Sequence, residues 1–250
     1  MPLSAERVEL PNTLICARRN DDSYAGHSVA FEERGELRMK LAFIGFGELG
    51  HYLCDTLQEI HHVDEENRVY FDDNLHRDMA PRSFPFKEYA NDEFKHHQFY
   101  ICLGYRYLMI KQEIITRLTE LGRSLPHFIH SSSYVHPTVK PGPASFLYPG
   151  CSIDRNTVIG RGTWIANGSV IAHDCTIGDA CWFGASVTLS GKVTVGQNTF
   201  IGSGSTVSNS VRIGSGVIVG LATAVTKDIA DGESVIGNPM RTLDRAIELI

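Results

Sequence analysis

A small domain of parallel strands and helices followed by a stacked β solenoid is the architecture that this chain of 250 residues predicts. Three observations carry it. Strand, glycine turn and helix alternate from Met39 onward. An aliphatic residue then returns every sixth position from Leu147, and the residues around that beat are small.

The elements follow in order. Residues 1–38 are polar, mixed in charge and aperiodic, apart from VELPNTLICARR, which has room for a short strand. Met39 looks like an ordinary protein start with a strand behind it, so residues 1–38 are expected to be either an accessory N-terminal extension or an over-long start assignment. LAFIGF reads as a buried strand, GELGHYLCDTLQEIHH as a helix and NRVYFDD as a second strand. QFYICLG is a third strand, YLMIKQEIITRLTELG a second helix and PHFIH a last short strand. This alternation implies a parallel α/β domain over residues 39–130, with ligands at the carboxyl ends of its strands.

Leu147, Ile153, Ile159, Ile165, Ile171, Ile177, Phe183, Leu189, Val195, Ile201, Val207, Ile213, Val219 and Val225 keep the six-residue interval. Gly or Ala often follows each beat, and small or β-branched residues such as Thr157, Cys175 and Ser205 stand two places before it. Such a period means coils that bury their aliphatics only against neighbouring coils, over residues 131–228, with 229–250 as a C-terminal cap.

The totals narrow the function. A net charge of −6 without a Lys/Arg cluster gives no electrostatic case for nucleic acid. No apolar run approaches the ~20 residues of a membrane helix, and the N-terminus lacks the pattern of a secretory signal. Six cysteines without a CxxC pair suit free thiols in a reducing cytoplasm. A soluble cytoplasmic protein without a membrane partner is expected.

The hexapeptide beat, the motif IAHDCTIGD and the closing GNPMR resemble the hexapeptide-repeat acyltransferases. With the α/β domain in front, residues 39–243 resemble the sialic-acid O-acetyltransferases and UDP-4-amino-sugar N-acetyltransferases among them. The resemblance implies a Rossmann-like α/β domain, then a left-handed parallel β-helix with three hexapeptides per triangular coil. Residues 18 apart then stack at about one strand spacing, ~4.8 Å, and fourteen beats give four to five coils. It also implies acetyl-CoA as co-substrate, a nucleotide-linked or sialic-type sugar as acceptor and a homotrimer with coenzyme sites between subunits.

His173, the only histidine of the array, lies two places after Ile171 at a coil corner. By periodicity alone it is either a solvated corner residue or a base. The resemblance makes it the general base, with Asp174 as the carboxylate that fixes its tautomer. Gly191, 18 residues on, belongs one coil above. The resemblance gives its amide to the thioester oxygen, as an oriented donor needing no reorganisation; the alternative is a glycine that only turns a corner. For the coenzyme the resemblance points to Trp182, which replaces a histidine, and to Ser203 and Leu221. Cys175 beside His173 invites an acyl-enzyme, but it shares the small interior position of Cys151 and Cys181, which favours packing. A metal site lacks the histidines it needs.

Gly45-Phe46-Gly47-Glu48-Leu49-Gly50 fits GxGxxG between strand and helix, with Asp72 and Asp73 some twenty residues on. That is a nicotinamide-dinucleotide fingerprint without the second half such a domain usually has. The resemblance assigns Gly50, His51, Asp72, Asp73, Gly104 and Arg106 to the nucleotide-sugar instead. The expected activity is acetyl transfer from acetyl-CoA to a sugar amino or hydroxyl group. A non-catalytic sugar-binding solenoid and a nicotinamide-linked oxidoreductase stand as alternatives.

Overall fold

Four short parallel strands in the order β4–β3–β2–β5 make the first sheet: β2 (Leu41–Ile44), β3 (Arg68–Phe71), β4 (Ser83–Phe84) and β5 (Gln98–Ile101). The computed structural model describes residues 13–15, 39–74 and 82–244. Every residue of β2 and β3 is buried, including Arg68 of β3, whose guanidinium donates to the Val63 carbonyl. Helix α1 (Glu48–His61) turns Leu53, Cys54 and Leu57 inward, and α2 (Leu108–Glu120) buries Leu108, Lys111, Ile114, Ile115 and Leu118. Strand order reverses at β2, flanked by β3 and β5. At such a switch point a ligand is expected at the carboxyl ends of the strands, here beside the Gly45 turn and Gly104.

The remainder is a parallel β-solenoid of about six turns. Each inner turn contributes one strand to each of three sheets, called here the first, second and third faces, and single bridges extend the third face at both ends. Trp164–Ile165, Val170–Ile171 and Thr176–Ile177 are one such set, and each pairs in register with residues 18 further on. The beat residues fill the interior and are almost completely buried. Three places after each beat from Leu147 to Val219 the backbone enters the left-handed region, at Asn156 (φ 57°), Asp174 (φ 59°) and Asn198 (φ 56°) among others. Gly, Asn and Asp tolerate that corner best.

The small residues two places before the beat do more than save space. Thr163 Oγ1 donates to the Gly178 carbonyl (2.8 Å) and accepts from the Cys181 amide of the next coil (3.2 Å). Ser169, Thr199 and Ser205 repeat the pattern, so hydroxyls satisfy corner backbone groups that the strand ladders miss. Cys175 and Cys181 occupy the same position, with Sγ donating to the Ser190 (3.2 Å) and Gly196 (3.1 Å) carbonyls.

One expected element lies elsewhere. The PHFIH strand, β6 (His127–Ile129), was assigned by its alternation to the α/β sheet. It pairs instead with Phe146–Leu147 of the solenoid, Phe128 against Phe146 and Ile129 against Leu147. Tyr134–Val135 and Pro141 complete this first coil by pairing with Ser152–Ile153 and Ile159. The beat therefore runs back through Pro141 and Val135 to Ile129, one coil before Leu147, and the four to five coils expected become about six. Thr13–Ile15 forms a strand, β1, parallel to β6. The rest of the expected extension, residues 1–12 and 16–38, lies outside the described residues.

The α/β domain covers the first face. Phe146, Trp164, Trp182 and Phe200, 18 apart, stack outward from that face, with Trp164 and Trp182 parallel at 5.1 Å. Tyr105 packs on Trp182 (5.5 Å) and Phe200 (5.3 Å), and Tyr100 reaches Phe146. Gln112 of α2 joins Gln197 and Asn198 at one solenoid edge. Lys111, fully buried, donates to the Gly162 carbonyl (3.2 Å) and sits over both tryptophan rings.

Burial pushes the Lys111 ammonium down to about 8 from 10.5. Unfolding restores the higher value, so the unfolded chain holds the extra proton across that window. The group's contribution to stability therefore rises with pH from about 8 to 10.5. Lys111→Met is expected to stabilise the fold at pH 7 by roughly 1–3 kcal/mol, by removing a desolvated charge while keeping the volume. The advantage should shrink as pH climbs through the window. Thermal melts of both proteins at two pH values check this, and a variant melting below the wild type at pH 7 would show that the two indole faces outweigh desolvation.

Candidate active site

His173 and Asp174 follow the strand Val170–Ile171 at the edge between the second and third faces. The left-handed corner at Asp174 turns its carboxylate back toward the preceding side chain. His173 Nδ1 and Asp174 Oδ2 lie 2.8 Å apart, with both side chains half-exposed. The ionised carboxylate only accepts, so Nδ1 carries a hydrogen toward it, and in the neutral ring Nε2 is the nitrogen that accepts a proton. Asn156, one coil below, donates Nδ2–H to the other oxygen, Asp174 Oδ1, at 3.0 Å. Donation from His173, then from Asn156, holds the Asp174 carboxyl below the usual carboxylate value.

Gly191 sits one coil above. A methyl group built on its Cα would lie 2.8 Å from both Cε1 and Nε2 of His173, so the imidazole packs directly on the bare glycine backbone. The Gly191 carbonyl accepts from Ser210, while its N–H donates to no group among the described residues. A half-exposed imidazole with a free ring nitrogen thus shares an edge with an unused main-chain donor, the elements of general-base catalysis with oxyanion stabilisation.

The other expected residues fall elsewhere. Ser203 and Leu221 stack on the edge between the first and second faces, and Leu221 is 65% exposed. Trp182 is 9% exposed, enclosed by Trp164, Tyr105 and Phe200, so in this chain its ring serves the docking of the two domains. Cys175 is fully buried, and burial pushes its thiol up, which suits interior packing and not nucleophilic attack.

In the α/β domain Gly45 has φ 77° and Gly50 is buried against the Gly45 carbonyl, where a Cβ would come within 2.9 Å. Asp72 braces this turn: Oδ2 accepts from the Phe46 amide and Oδ1 from the Asn74 amide, both at 2.8 Å. Asp73 accepts from Phe86 N at 2.9 Å. His51 lies exposed on α1 with its ring 4.4 Å from Phe46. Gly104 precedes a single 3-10 turn that carries the exposed Arg106. Both aspartates are thus occupied in bracing the loops around the carboxyl end of β3. That domain lies on the first face, across the prism from the His173 edge.

The sequence reading missed Asn156 and the aromatic column. Both carried the same signal, the 18-residue spacing: Asn156 stands 18 before Asp174, and Phe146, Trp164, Trp182 and Phe200 share that interval.

Residues 156–191 match the family described as bacterial transferase hexapeptide (six repeats). No curated protein matches the chain significantly. Among solved structures, the chain is similar to the acetyltransferase domain of PglB from Neisseria gonorrhoeae in complex with acetyl coenzyme A. That similarity has 24% identity and a TM-score of 0.74 over 82% of this chain and 100% of that one. A histidine-to-alanine mutant of GDP-perosamine N-acetyltransferase from Caulobacter crescentus, in complex with CoA and GDP-perosamine, is 25% identical. It aligns with a TM-score of 0.73 over 82% of this chain and 97% of that one. WeeI from Acinetobacter baumannii is 22% identical, with a TM-score of 0.73 over 82% and 100%.

Proposed function

We propose that the protein transfers an acetyl group from acetyl-CoA to the amino group of a nucleotide-linked sugar. The observation that carries this reading is the Asp174-held imidazole packed under Gly191, on a fold similar to an N-acetyltransferase solved with CoA and GDP-perosamine. His173 Nε2 removes a proton as the amine attacks the thioester carbon, and Asp174 stabilises the imidazolium that forms. The Gly191 N–H donates to the oxyanion of the tetrahedral intermediate. As that intermediate collapses, the imidazolium returns the proton to the departing thiolate. Holding both substrates in line accounts for much of the rate.

The residues assigned to substrates occupy separate places in one chain, which argues for a site completed by another copy. The His173 edge and the Ser203–Leu221 edge both border the second face. Its outward residues, Tyr134, Ser152, Val170, Thr188, Thr206 and Ala224, are uncharged. Three copies packed with this face toward a common axis bring the Ser203–Leu221 edge of one beside the His173 edge of the next. The pantetheine arm then lies in that groove, with Trp182 contributing through domain placement. Lys227, two coils beyond Gly191 on the same edge, and Arg241 are candidates for the coenzyme phosphates. The group Gly50, His51, Asp72, Asp73, Gly104 and Arg106 holds the carrier end of the sugar. No described helix is long and apolar enough to cross a membrane, and five buried free thiols suit a cytoplasmic setting.

Thiol release from acetyl-CoA, measured with UDP-, GDP- and dTDP-linked amino sugars and with sialic acids, tests the reading. The expected result is turnover with a nucleotide-linked amino sugar and one acetyl group added to its nitrogen. Coenzyme binding without turnover would favour a non-catalytic solenoid, and tight dinucleotide binding by the α/β domain would favour an oxidoreductase.

A further inference from the structure

We propose that Asn156 is a positioning residue for the base, the middle member of a hydrogen-bonded column that climbs one edge of the solenoid to His173; the inference rests on the acetyl-transfer reading above. Three coils contribute. Thr138 Oγ1, 2.9 Å from His136 Nδ1, accepts the Asn156 amide at 2.9 Å. Asn156 Nδ2 donates to Asp174 Oδ1 at 3.0 Å, and Asp174 Oδ2 receives the His173 ring hydrogen at 2.8 Å.

The chemistry of the groups fixes each direction. A carboxylate accepts only, so the group that Asn156 turns to it is the amide NH₂. Asp174 hangs from a corner in solvent, where a short side chain with one partner is free to rotate about its own bonds. A second partner on the opposite oxygen removes that freedom, so the carboxylate plane and the imidazole are set together. Asn156 is itself held at a left-handed corner (φ 57°) through its backbone, so its side chain starts from a fixed stem. It also keeps the carboxylate ionised next to the ring, which is the state that supports proton uptake at Nε2. Asn156 acts on the base only through Asp174.

Two variants separate this role from a structural one. Asn156→Gly keeps the left-handed corner and removes the amide. Asn156→Asp keeps shape and corner preference but turns an acceptor toward an acceptor. Both are expected to melt near the wild-type temperature and to keep KM for acetyl-CoA and acceptor. Their kcat should fall, about threefold to tenfold for Asn156→Gly and more for Asn156→Asp. The added negative charge of Asn156→Asp favours the imidazolium, so the acid limb of its kcat–pH profile should move to higher pH. An NMR titration of the His173 ring gives a readout independent of turnover, and its midpoint should move in the same sense.

Wild-type kcat and an unshifted His173 titration in both variants would overturn the inference. If His173→Ala abolishes turnover while the Asn156 variants behave as wild type, only this inference fails. If His173→Ala keeps full turnover, the reading beneath it fails instead.

Discussion

Replacing His173 with alanine is expected to lower acetyl transfer by about 10²- to 10⁴-fold, the usual contribution of a positioned general base. The fold should barely notice. The side chain is half-exposed, lies outside the aliphatic interior and, among the described residues, bonds only to its neighbour Asp174. The thermal midpoint should therefore stay close to the wild-type value, as for a surface substitution within about 0.5 kcal/mol. KM for acetyl-CoA should also change little, since the loss lies in the transition state. Steady-state thiol release and a melt on the same preparation check both halves. Unchanged turnover would remove His173 as the base.

Gly191→Ala should have an effect of similar size by a different route. The added methyl would sit 2.8 Å from Cε1 and Nε2 of the imidazole. The Gly191 backbone is not in the left-handed region, so alanine adopts it without strain. What has to yield is the end of a side chain, which costs little stability. The imidazole then swings away from the N–H it shares the edge with, and base and oxyanion donor lose their alignment. A misplacement of about 1 Å can cost about 10²-fold. Turnover is expected to fall by about that factor with the melt unchanged, and His173→Ala combined with Gly191→Ala should be little worse than His173→Ala alone. Independent, multiplying losses would mean that the two residues do not act as a unit.

The solenoid was legible because its physics is one-dimensional. A coil that buries aliphatics only against its neighbours must repeat them, and the beat from Leu147 to Val225 states this directly. The same arithmetic stacked Gly191 over His173. It stopped one coil short because Pro141 stands where an aliphatic residue was expected, and because Ile129 follows a helix and so looks like another α/β strand. The seating of the α/β domain was unread for another reason. Tryptophan at 164 and 182 points out of the solenoid, where a repeat rule says nothing, and a helical lysine gives no sign that it will be sealed beneath two indoles. Side-chain direction limited the site as well. Asp72 looks like a ligand by its place after a strand, yet both its oxygens accept backbone amides, from Phe46 and Asn74.

The central claim is that one acetyl-transfer centre is assembled from the His173 edge of one chain and the Ser203–Leu221 edge of another. Mixing two inactive variants tests it most directly: His173→Ala, which lacks the base, and Leu221→Glu, which places a charge on the coenzyme edge. Coexpressed in one cell, the two should form mixed assemblies in which some grooves combine two intact edges, so thiol release should rise well above that of either variant alone. If the coexpressed variants form mixed assemblies and yet remain as inactive as each does by itself, the two edges do not serve one site, and the account is wrong.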